Sequence, residues 1–485
     1  MIFNQIPTTV RTPGSYGEFD SSKARPSNED KPQRALLIGT KLSGGSMTVE
    51  TVYEITGGGA QCEGLAGVGS PLAEMGRAFA AANPGAPFSL LASTEPSGGT
   101  AASGSLVFTG TSTADGSVFL YVAGELVQVD LLSGSTSAQA ATAVYNAINA
   151  KTRLPILATN GTPSTTTLAG KWKGVAGNDV LVELNRLETQ ALPAGLACTV
   201  NTMASGAGVP VIATTIAAIP DDVFDRVVSQ FNDDATMDAL EAWAVTRWNA
   251  LVQQESVVHA AYRGSYANSA SYGAARNSPY STVAAIELSP TAPWVAGAIY
   301  AAVDASELDP ARPLNTLALP GVVAPKVSQR FTRTQRDALL HAGMTTTKTV
   351  AGVVQIERAI TTYQLNASSI VDDTYLDLTT PKTLAYLRWN WNTYLVTTYP
   401  RHKLGDDGTP YDPDQPVVTP KVLLGDLLAW ADRMGKRALI ENVSTFKENA
   451  RAERNETDPN RADFFAPPDL VNGAHVFATK WGFIL

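Results

Sequence analysis

The sequence predicts an α/β protein whose mainly parallel sheet is flanked by helices, with an inserted, mainly β outer domain and an extended arm at each end. Three observations predict this. Apolar strand-like runs alternate with amphipathic segments over residues 210–305, which is typical of a parallel sheet covered on both faces. Between residues 94 and 209 the composition shifts to Thr, Ser, Gly and Ala with few charges. Both chain ends carry a strand-like stretch, at residues 2–6 and at residues 476–485.

Residues 1–33 form a predicted N-terminal arm that is rich in Pro, Ser and charged residues. Chain ends are normally polar and frayed, whereas a β-prone end needs a sheet edge to pair with. Roughly eighteen extended residues reach about 60 Å, which is enough to cross onto a neighbouring molecule. The candidate residues for contacts between subunits are Ile6, Arg11, Pro13, Gly14, Tyr16, Glu18 and Phe19.

Residues 475–485 form a predicted C-terminal arm that stays strongly apolar to its last residue. Strand addition to a neighbouring sheet satisfies the backbone of such a segment and buries alternate side chains. Two ends of this kind indicate strand exchange between copies, and so an assembly protein rather than a free enzyme. The candidate residues here are Val476, Phe477, Trp481, Phe483 and Leu485.

Length and composition narrow the class of protein. The 485 residues suggest about three domains. Charged residues make up 17% of the chain, below the usual ~25%, which fits a protein that covers much of its surface with other copies. The net charge of −9 disfavours nucleic acid as a partner, since phosphate binding needs clustered Lys and Arg.

Cysteine content and hydropathy argue against a disulfide-stabilised, secreted or membrane-spanning protein. Cys62 and Cys198 are the two cysteines and form no CxxC motif, so we predict no disulfide framework and two buried small side chains. The first thirty residues lack the apolar stretch of a signal peptide. The sequence contains no run of about 18 apolar residues, the length that a membrane-spanning helix needs. We therefore expect no direct membrane insertion.

Residues 34–93 read as a strand–helix–strand unit, the first part of the core. The apolar run at 35–39 predicts a buried strand. Ser70 before Pro71 provides an N-cap and a favourable first helical position. A strand at 88–91 closes the unit.

Residues 94–209 read as the inserted, mainly β outer domain, which we expect to face outward. One helix is predicted over 138–150, and short strands over 105–109, 118–122, 126–131, 180–184 and 197–203.

Residues 210–365 continue the core as alternating strands and helices. Strands are predicted over 223–229, 257–260, 282–286, 344–350 and 353–363. Helices are predicted over 268–276 and 295–303, and after an N-cap at Asp233 or Asp234. The apolar face of that capped helix is Met237, Leu240, Ala244, Trp248 and Leu251.

Residues 366–474 form a predicted C-terminal domain. It contains a helix over 384–396, a loop over 400–420 and an amphipathic helix marked by Val422, Leu427, Trp430 and Met434. Bases and acids then intermingle over 432–463. This segment is either a solvated helix face whose charges pair with one another, or a contact surface for a second protein.

Motifs for catalysis and cofactors are missing from the sequence. His259, His341, His402 and His475 are the four histidines, and none has a neighbour at metal-ligand spacing. No GxSxG nucleophile motif is present. The Gly-rich stretch at 64–70 lacks the Lys of a phosphate-binding loop. The acidic loop at 406–414 lacks the EF-hand pattern. We therefore predict no enzyme activity, no metal and no cofactor.

Several segments, in a shared order along nearly the whole chain, resemble the tail sheath proteins of Mu-like contractile phages. The resemblance is carried by RTPGSYGE (11–18), GVGS (67–70), FAAANP (79–84), GAARNSP (273–279), DPARPL (309–314), LPG (319–321), IER (356–358), ITTY (360–363), DPNR (458–461) and PPDLVN (467–472).

The resemblance implies a subtilisin-like α/β core without peptidase activity. It implies a homo-oligomer of six-fold rings stacked helically around the tail tube, with both arms adding strands to neighbouring subunits. The other implied partners are the baseplate and tail terminator proteins. The implied site is the virion tail, assembled in the host cytoplasm, where contraction drives the tube through the host envelope. The expected tube contacts are Arg433, Lys436, Arg437, Lys447, Arg451 and Arg454.

Three alternatives stay open at this level. A headless contractile injector, such as an R-type bacteriocin, uses a similar sheath. A cryptic hydrolase of subtilisin-like fold requires a nucleophile such as Ser278. A non-contractile fibre or surface-layer protein would have one fixed length per subunit.

Overall fold

The computed structural model describes residue 31 and residues 33–412 and 414–484. The N-terminal arm residues and Leu485 lie outside this described part. The first strands and helices are β1 (Ala35–Thr40), β2 (Val52–Ile55), α1 (Gly58–Ala66), α2 (Pro71–Ala82) and β3 (Phe88–Ser93). They are followed by β4 (Ala101–Gly110), β5 (Gly116–Val122), β6 (Glu125–Leu131), α3 (Ser137–Ala150), β7 (Ile156–Asn160), β8 (Thr165–Lys173), β9 (Val182–Leu184) and β10 (Leu196–Ala204).

The middle of the chain alternates helices and strands, as predicted. Its elements are α4 (Ile212–Ala217), β11 (Arg226–Ser229), α5 (Asp234–Arg247), β12 (Val257–Tyr262), α6 (Tyr266–Ala274), β13 (Ser281–Ala285), α7 (Pro293–Ser306), β14 (Ala318–Val323), α8 (Arg333–His341), β15 (Thr345–Val350) and β16 (Val353–Arg358). Short 3₁₀ helices cover Val175–Asp179 and Val327–Gln329.

A nine-stranded sheet joins the first and middle parts of the chain in the order β14-β16-β15-β13-β12-β11-β1-β3-β2. The six strands from β3 to β15 pair in parallel, with Leu37 opposite both Leu90 and Val228. Antiparallel strands close both ends: β2 beside β3, and β16 and β14 beyond β15. The mixed α/β fold class is confirmed.

Both faces of the central parallel strands are buried, which agrees with the nearly continuous apolar runs of β1 and β3. On β1, Leu37 packs into the hydrophobic cluster of one face, while Leu36 and Ile38 pack into the cluster of the other. The predicted caps are present: the side chain of Ser70 accepts a hydrogen bond from Ala73 N, and that of Asp233 accepts one from Thr236 N.

The inserted segment is mainly β. Its strands form a four-stranded sheet in the order β10-β4-β8-β7 and a three-stranded sheet in the order β6-β5-β9. Helix α3 packs between them through Ala140, Ala141 and Val144. All five predicted strands of the insertion are observed. Strands β7 and β8 were not predicted, because β8 is rich in threonine and shows no apolar run.

The insertion shares a hydrophobic core with the nine-stranded sheet. The ring of Trp172, on β8, packs edge-on against Trp294, on α7, at a centroid distance of 5.7 Å. Trp294 Nε1 donates a hydrogen bond of 3.0 Å to the buried carboxylate of Glu74. Ion pairs also cross the junction, from Arg263 to Asp179 at 3.3 Å and from Lys326 to Glu183 at 3.1 Å. The insertion is therefore docked onto the core rather than tethered to it.

The last part of the chain packs around a separate hydrophobic cluster. Its elements are α9 (Thr379–Thr398), β17 (Lys403–Leu404), β18 (Val417–Val418), α10 (Pro420–Lys436), β19 (Ile440–Glu441), α11 (Val443–Asn449), β20 (Arg451–Arg454), β21 (Ala462–Phe465) and β22 (Asp469–Leu470). Within the described residues, no helix is long and apolar enough to cross a bilayer.

Some predictions are wrong in detail. Leu251 is 95% exposed because α5 ends at Arg247 and the chain turns away. Val422 is half-exposed, although Leu427, Trp430 and Met434 are buried as predicted. Cys62 is buried, but Cys198, on β10, is only partly covered.

Candidate assembly interface

The C-terminal tail leaves the fold at His475. Its Nδ1 lies 3.0 Å from Asn315 Nδ2, and its Nε2 lies 3.4 Å from Asp377 Oδ1. Asp377 also receives two hydrogen bonds from Arg358, at 3.0 and 3.1 Å. Burial lowers the pKa of His475, and the nearby Asp377 carboxylate opposes that shift.

Beyond His475 the apolar side chains are open to solvent. Val476, Phe477, Trp481 and Phe483 are each between 83% and 88% exposed, and Ile484 is fully exposed. Residues 471–484 form no strand with the described part of the chain. Large exposed apolar patches are typical of interaction sites, so this segment is a candidate one.

Lys31 is the first described residue of the predicted N-terminal arm. Its ammonium group, 7% exposed, pairs with Asp225 at 2.6 Å. Asp225 also accepts a hydrogen bond of 3.0 Å from Arg34 N. Gln33 accepts a hydrogen bond of 2.6 Å from Arg226. The predicted contact residues of the arm itself, Ile6 to Phe19, lie outside the described residues.

Strands β20 and β21 form an isolated two-stranded ribbon. Ala452 lies opposite Phe464, and Arg454 opposite Ala462. The outer edge of each strand pairs with no other strand of the described chain. Beside the ribbon lies an open groove of about 440 Å³ that is lined mainly by apolar side chains, namely Leu395, Val396, Tyr399, Pro400, Leu404, Val418, Leu423, Ala462 and Phe464, together with Asn460.

The six cations of the candidate tube surface differ in the contacts that they make within the described chain. On α10 and just after it, Arg433 lies over the ring of Tyr394 at 5.3 Å and Arg437 over that of Tyr386 at 4.9 Å. Lys436 is exposed and has no ion pair or hydrogen bond with the described part of the chain.

The remaining three cations lie on α11 and β20. Lys447 pairs with Asp432 at 2.8 Å, and Arg454 pairs with Asp406 at 2.7 Å. Arg451 donates to two main-chain carbonyls. Arg451 and Arg454 stand on a strand rather than on the predicted charged helix, because residues 451–454 pair with β21.

A buried ionic cluster was not predicted from the sequence. It lies near the two arm roots, by which we mean Lys31 with Gln33 at the N-terminal side and His475 at the C-terminal side. Asp304, on α7, is 1% exposed and contacts Arg226, His259 and Lys382. Burial alone would raise the pKa of Asp304, but the adjacent Arg226 and Lys382 hold it well below its ordinary value. A lone carboxylate within the apolar run of α7 was the available sequence signal.

The segment around Ser278 is a structural junction. Arg276 is buried against Tyr272 and pairs with Asp234 at 2.7 Å and with Asp238 at 3.2 Å. Ser278 N donates to Thr362 Oγ1 at 3.0 Å, and Ser278 Oγ accepts from Tyr280 N. Among the described residues, no group of three or more His, Cys, Asp or Glu side chains is arranged to hold a metal ion.

Comparison with known proteins defines the class. Residues 205–362 match the family model described as the phage tail sheath protein central domain. The Mu-like prophage FluMu tail sheath protein of Haemophilus influenzae is 33% identical over 486 residues, which span 100% of this chain and 99% of that protein.

Solved sheath structures are similar to this chain at low sequence identity. The sheath tail protein of Desulfitobacterium hafniense is 13% identical with a TM-score of 0.50, over 95% of this chain and 97% of that one. The contracted helical sheath of the anti-feeding prophage is 11% identical with a TM-score of 0.48, over 98% of this chain and 99% of that one.

Fold and sequence together define a phage tail sheath protein, a structural component of the virion. The chain belongs to the family of Mu-like phage tail sheath proteins.

Proposed function

We propose that this chain is a contractile sheath subunit that is joined to its neighbours by its two terminal arms. The observation that carries the proposal is the C-terminal tail, whose large apolar side chains are exposed in the single chain. Exposed apolar, β-prone segments aggregate unless a partner covers them. A neighbouring copy is the partner that every subunit of a sheath has available.

The β20–β21 ribbon is the proposed acceptor of these strands. A two-stranded ribbon alone is marginally stable, whereas additional strands with a buried face make it stable. The adjacent groove offers apolar side chains such as Leu395 and Phe464 to the incoming aromatic residues. Such a contact is heterologous, because the tail of one subunit binds a different surface of the next. Heterologous contacts that do not close generate helical assemblies, and the family relationship favours six-fold rings stacked along the tail.

The N-terminal arm is proposed to make the second link through Ile6, Arg11, Tyr16 and Phe19, together with Glu18. Pro13 and Gly14 provide a bend where strand pairing stops, since proline lacks an amide donor and glycine adopts turn conformations readily.

Contraction is proposed to move the subunits as rigid bodies while the arms stay paired. Two packings of the same subunits then differ in their lateral contacts, and a kinetic barrier holds the extended one. The free energy released when the subunits change from the extended to the contracted packing drives the tail tube through the host envelope. The proposed partners are the tube protein, the baseplate and the tail terminator.

We further propose that the core is subtilisin-like and not catalytic. Membership of a structural sheath family supports this. Both the amide and the hydroxyl oxygen of Ser278 already hold main-chain or side-chain partners. Two further points remain predictions. One is the outward position of the insertion, and the other is the set of segment limits: 1–33, 34–93, 94–209, 210–365, 366–474 and 475–485.

The tube contact is proposed to be weak and salt-sensitive, because exposed ion pairs contribute only ~0–1 kcal/mol each and are screened by salt. Lys436 is the cation we expect to contribute most, since it is exposed and no described residue forms an ion pair or side-chain hydrogen bond with it. Lys436→Gln should weaken co-sedimentation of sheath with tube. Lys173→Gln removes the same charge from an exposed site on the insertion and should have no effect. Binding that is unchanged in high salt would exclude this electrostatic contact.

Electron microscopy of the purified full-length chain tests the arm exchange. We expect hollow six-fold tubes from the intact chain, and none after deletion of residues 1–20 or of residues 476–485. A triple Phe477→Ser, Trp481→Ser and Phe483→Ser variant keeps the tail length and should also fail, while Thr479→Ser should assemble normally. Normal tubes from the triple variant would show that the aromatic tail does not join the subunits.

A further inference from the structure

One buried carboxylate lies at the centre of contacts that lead toward both arm roots. Asp304 lies in the last turn of α7 and is 1% exposed. Arg226 Nε, at the start of β11, donates to Asp304 Oδ2 at 2.5 Å, and its second terminal nitrogen donates to Asp304 O at 3.1 Å. The ammonium group of Lys382, in the first turn of α9, contacts the other carboxylate oxygen.

From this cluster the polar contacts continue toward the N-terminal arm. Arg226 Nη1 donates to Gln33 Oε1 at 2.6 Å. The residue before that strand, Asp225, holds Lys31 at 2.6 Å. Asp225 and Arg226 therefore hold Lys31 and Gln33, the first two described residues of the predicted N-terminal arm.

On the other side the contacts continue toward the C-terminal tail. Lys382 lies on the helix that directly follows Asp377, and Asp377 contacts both Arg358 and His475. Lys382 and His475 line the same small cavity, together with Asp377 and Leu378. The C-terminal tail therefore departs beside the first turn of α9.

We propose that Asp304 is a positioning residue that fixes the roots of both arms to the α/β core. This inference rests on the proposed function, in which the arms join neighbouring subunits. A pull on either arm during contraction then reaches helix α7 through Asp304, instead of peeling β1 or α9 from the core.

The charge balance explains why one residue serves both arms. Among the described residues, Asp304 is the carboxylate that contacts both Arg226 and Lys382. Without it, two buried cations face each other with no counter-charge between them. Removing one partner of a buried ionic pair is strongly destabilising, because the remaining charge is left uncompensated. Loss of Asp304 should therefore release both arm roots together.

Hydrogen–deuterium exchange of the full-length chain tests this proposal with three variants. Asp304→Asn keeps the shape and removes the charge. Lys382→Met removes only the contact to α9, and Gln33→Ala removes only the contact to the N-terminal root. The two measured regions are β1 with its preceding residues 33–34, and the first three turns of α9. Strand β7 of the insertion is the internal reference.

The proposal predicts a selective pattern. Asp304→Asn should speed exchange at both roots on the order of 100-fold, as expected for a broken buried ion pair. Lys382→Met should affect α9 alone, and Gln33→Ala should affect β1 alone with a smaller change. Val283→Ala truncates a buried core side chain on β13. It should speed exchange across the sheet in general, with no larger effect at β1 and α9 than elsewhere. Equal effects of Lys382→Met on both roots, or no effect of Asp304→Asn at either, would overturn the proposal.

A second readout separates this inference from the proposed function. Tubes formed by Asp304→Asn should break during contraction, whereas tubes formed by Val283→Ala should contract intact. If the wild-type chain forms no tubes, the proposed assembly fails while the exchange pattern still decides the role of Asp304. If the variant tubes contract as the wild type does, Asp304 does not carry force between the arms.

Discussion

Replacing Glu74 with glutamine should abolish a specific part of the pH dependence of folding stability. Glu74 lies on α2 at the junction between core and insertion, where Trp294 Nε1 donates to it at 3.0 Å. The charged groups around it are Arg77 on the same helix, Lys171 on β8 and Glu125 on β6. Burial raises the pKa of Glu74 to about 7, although the hydrogen bond from Trp294 and the two nearby cations oppose this.

The magnitude follows from linkage between protonation and folding. The folded chain keeps the proton up to a pH of about 7, whereas the unfolded chain releases it near 4.5. Because the pKa is raised on folding, the stabilisation is complete below 4.5 and is lost as the pH rises through about 7. At ~1.4 kcal/mol per pH unit, a shift from 4.5 to about 7 makes the loss about 3–4 kcal/mol. Glutamine never ionises and still accepts the hydrogen bond from Trp294, so the variant should lack this contribution.

Urea unfolding of wild type and Glu74→Gln at a series of pH values between 4.5 and 8.5 measures the effect. The difference between the two proteins cancels the other titrating groups that they share. We expect the variant to gain stability relative to wild type as the pH rises across this range. Glu188→Gln, at an exposed position on the insertion, is the control and should run parallel to wild type. Parallel profiles for Glu74→Gln as well would refute the argument from burial.

Three further predictions concern packing and charge. Trp172→Ala should cost about 3–5 kcal/mol in urea unfolding and speed exchange at the junction of insertion and core. Gly273→Ala places a methyl group 2.2 Å from Ala342 O and should lower the midpoint of thermal unfolding. Gly64→Ala, which meets no atom within 4 Å, should not lower it. Because the pKa of Asp304 is depressed on folding, the stability difference between wild type and Asp304→Asn should stay constant from pH 8 to 5 and shrink only in stronger acid.

Elements whose signals are local could be predicted from the sequence. The side chains of Ser70 and Asp233 cap helices at the predicted places, because a cap depends only on the next few residues. Strand β1 was predicted from its apolar run. Strands β7 and β8 were missed because Thr166 and its neighbours on β8 gain their burial from α3 and from the partner strands. Leu251 fitted the helical period of α5, yet the helix ends before it.

The sequence by itself determined the fold class, the family and the apolar character of the C-terminal tail, because these depend on composition, on short patterns and on their order. The tertiary structure alone decided which charges are already engaged. It pairs Lys447 with Asp432 and leaves Lys436 open, and it places Asp304 against Arg226 and Lys382. Asp304 is separated along the chain by 78 positions from each of these two cations. Contacts at such separations arise only when the sheet order and helix packing bring the elements together, so no local pattern records them.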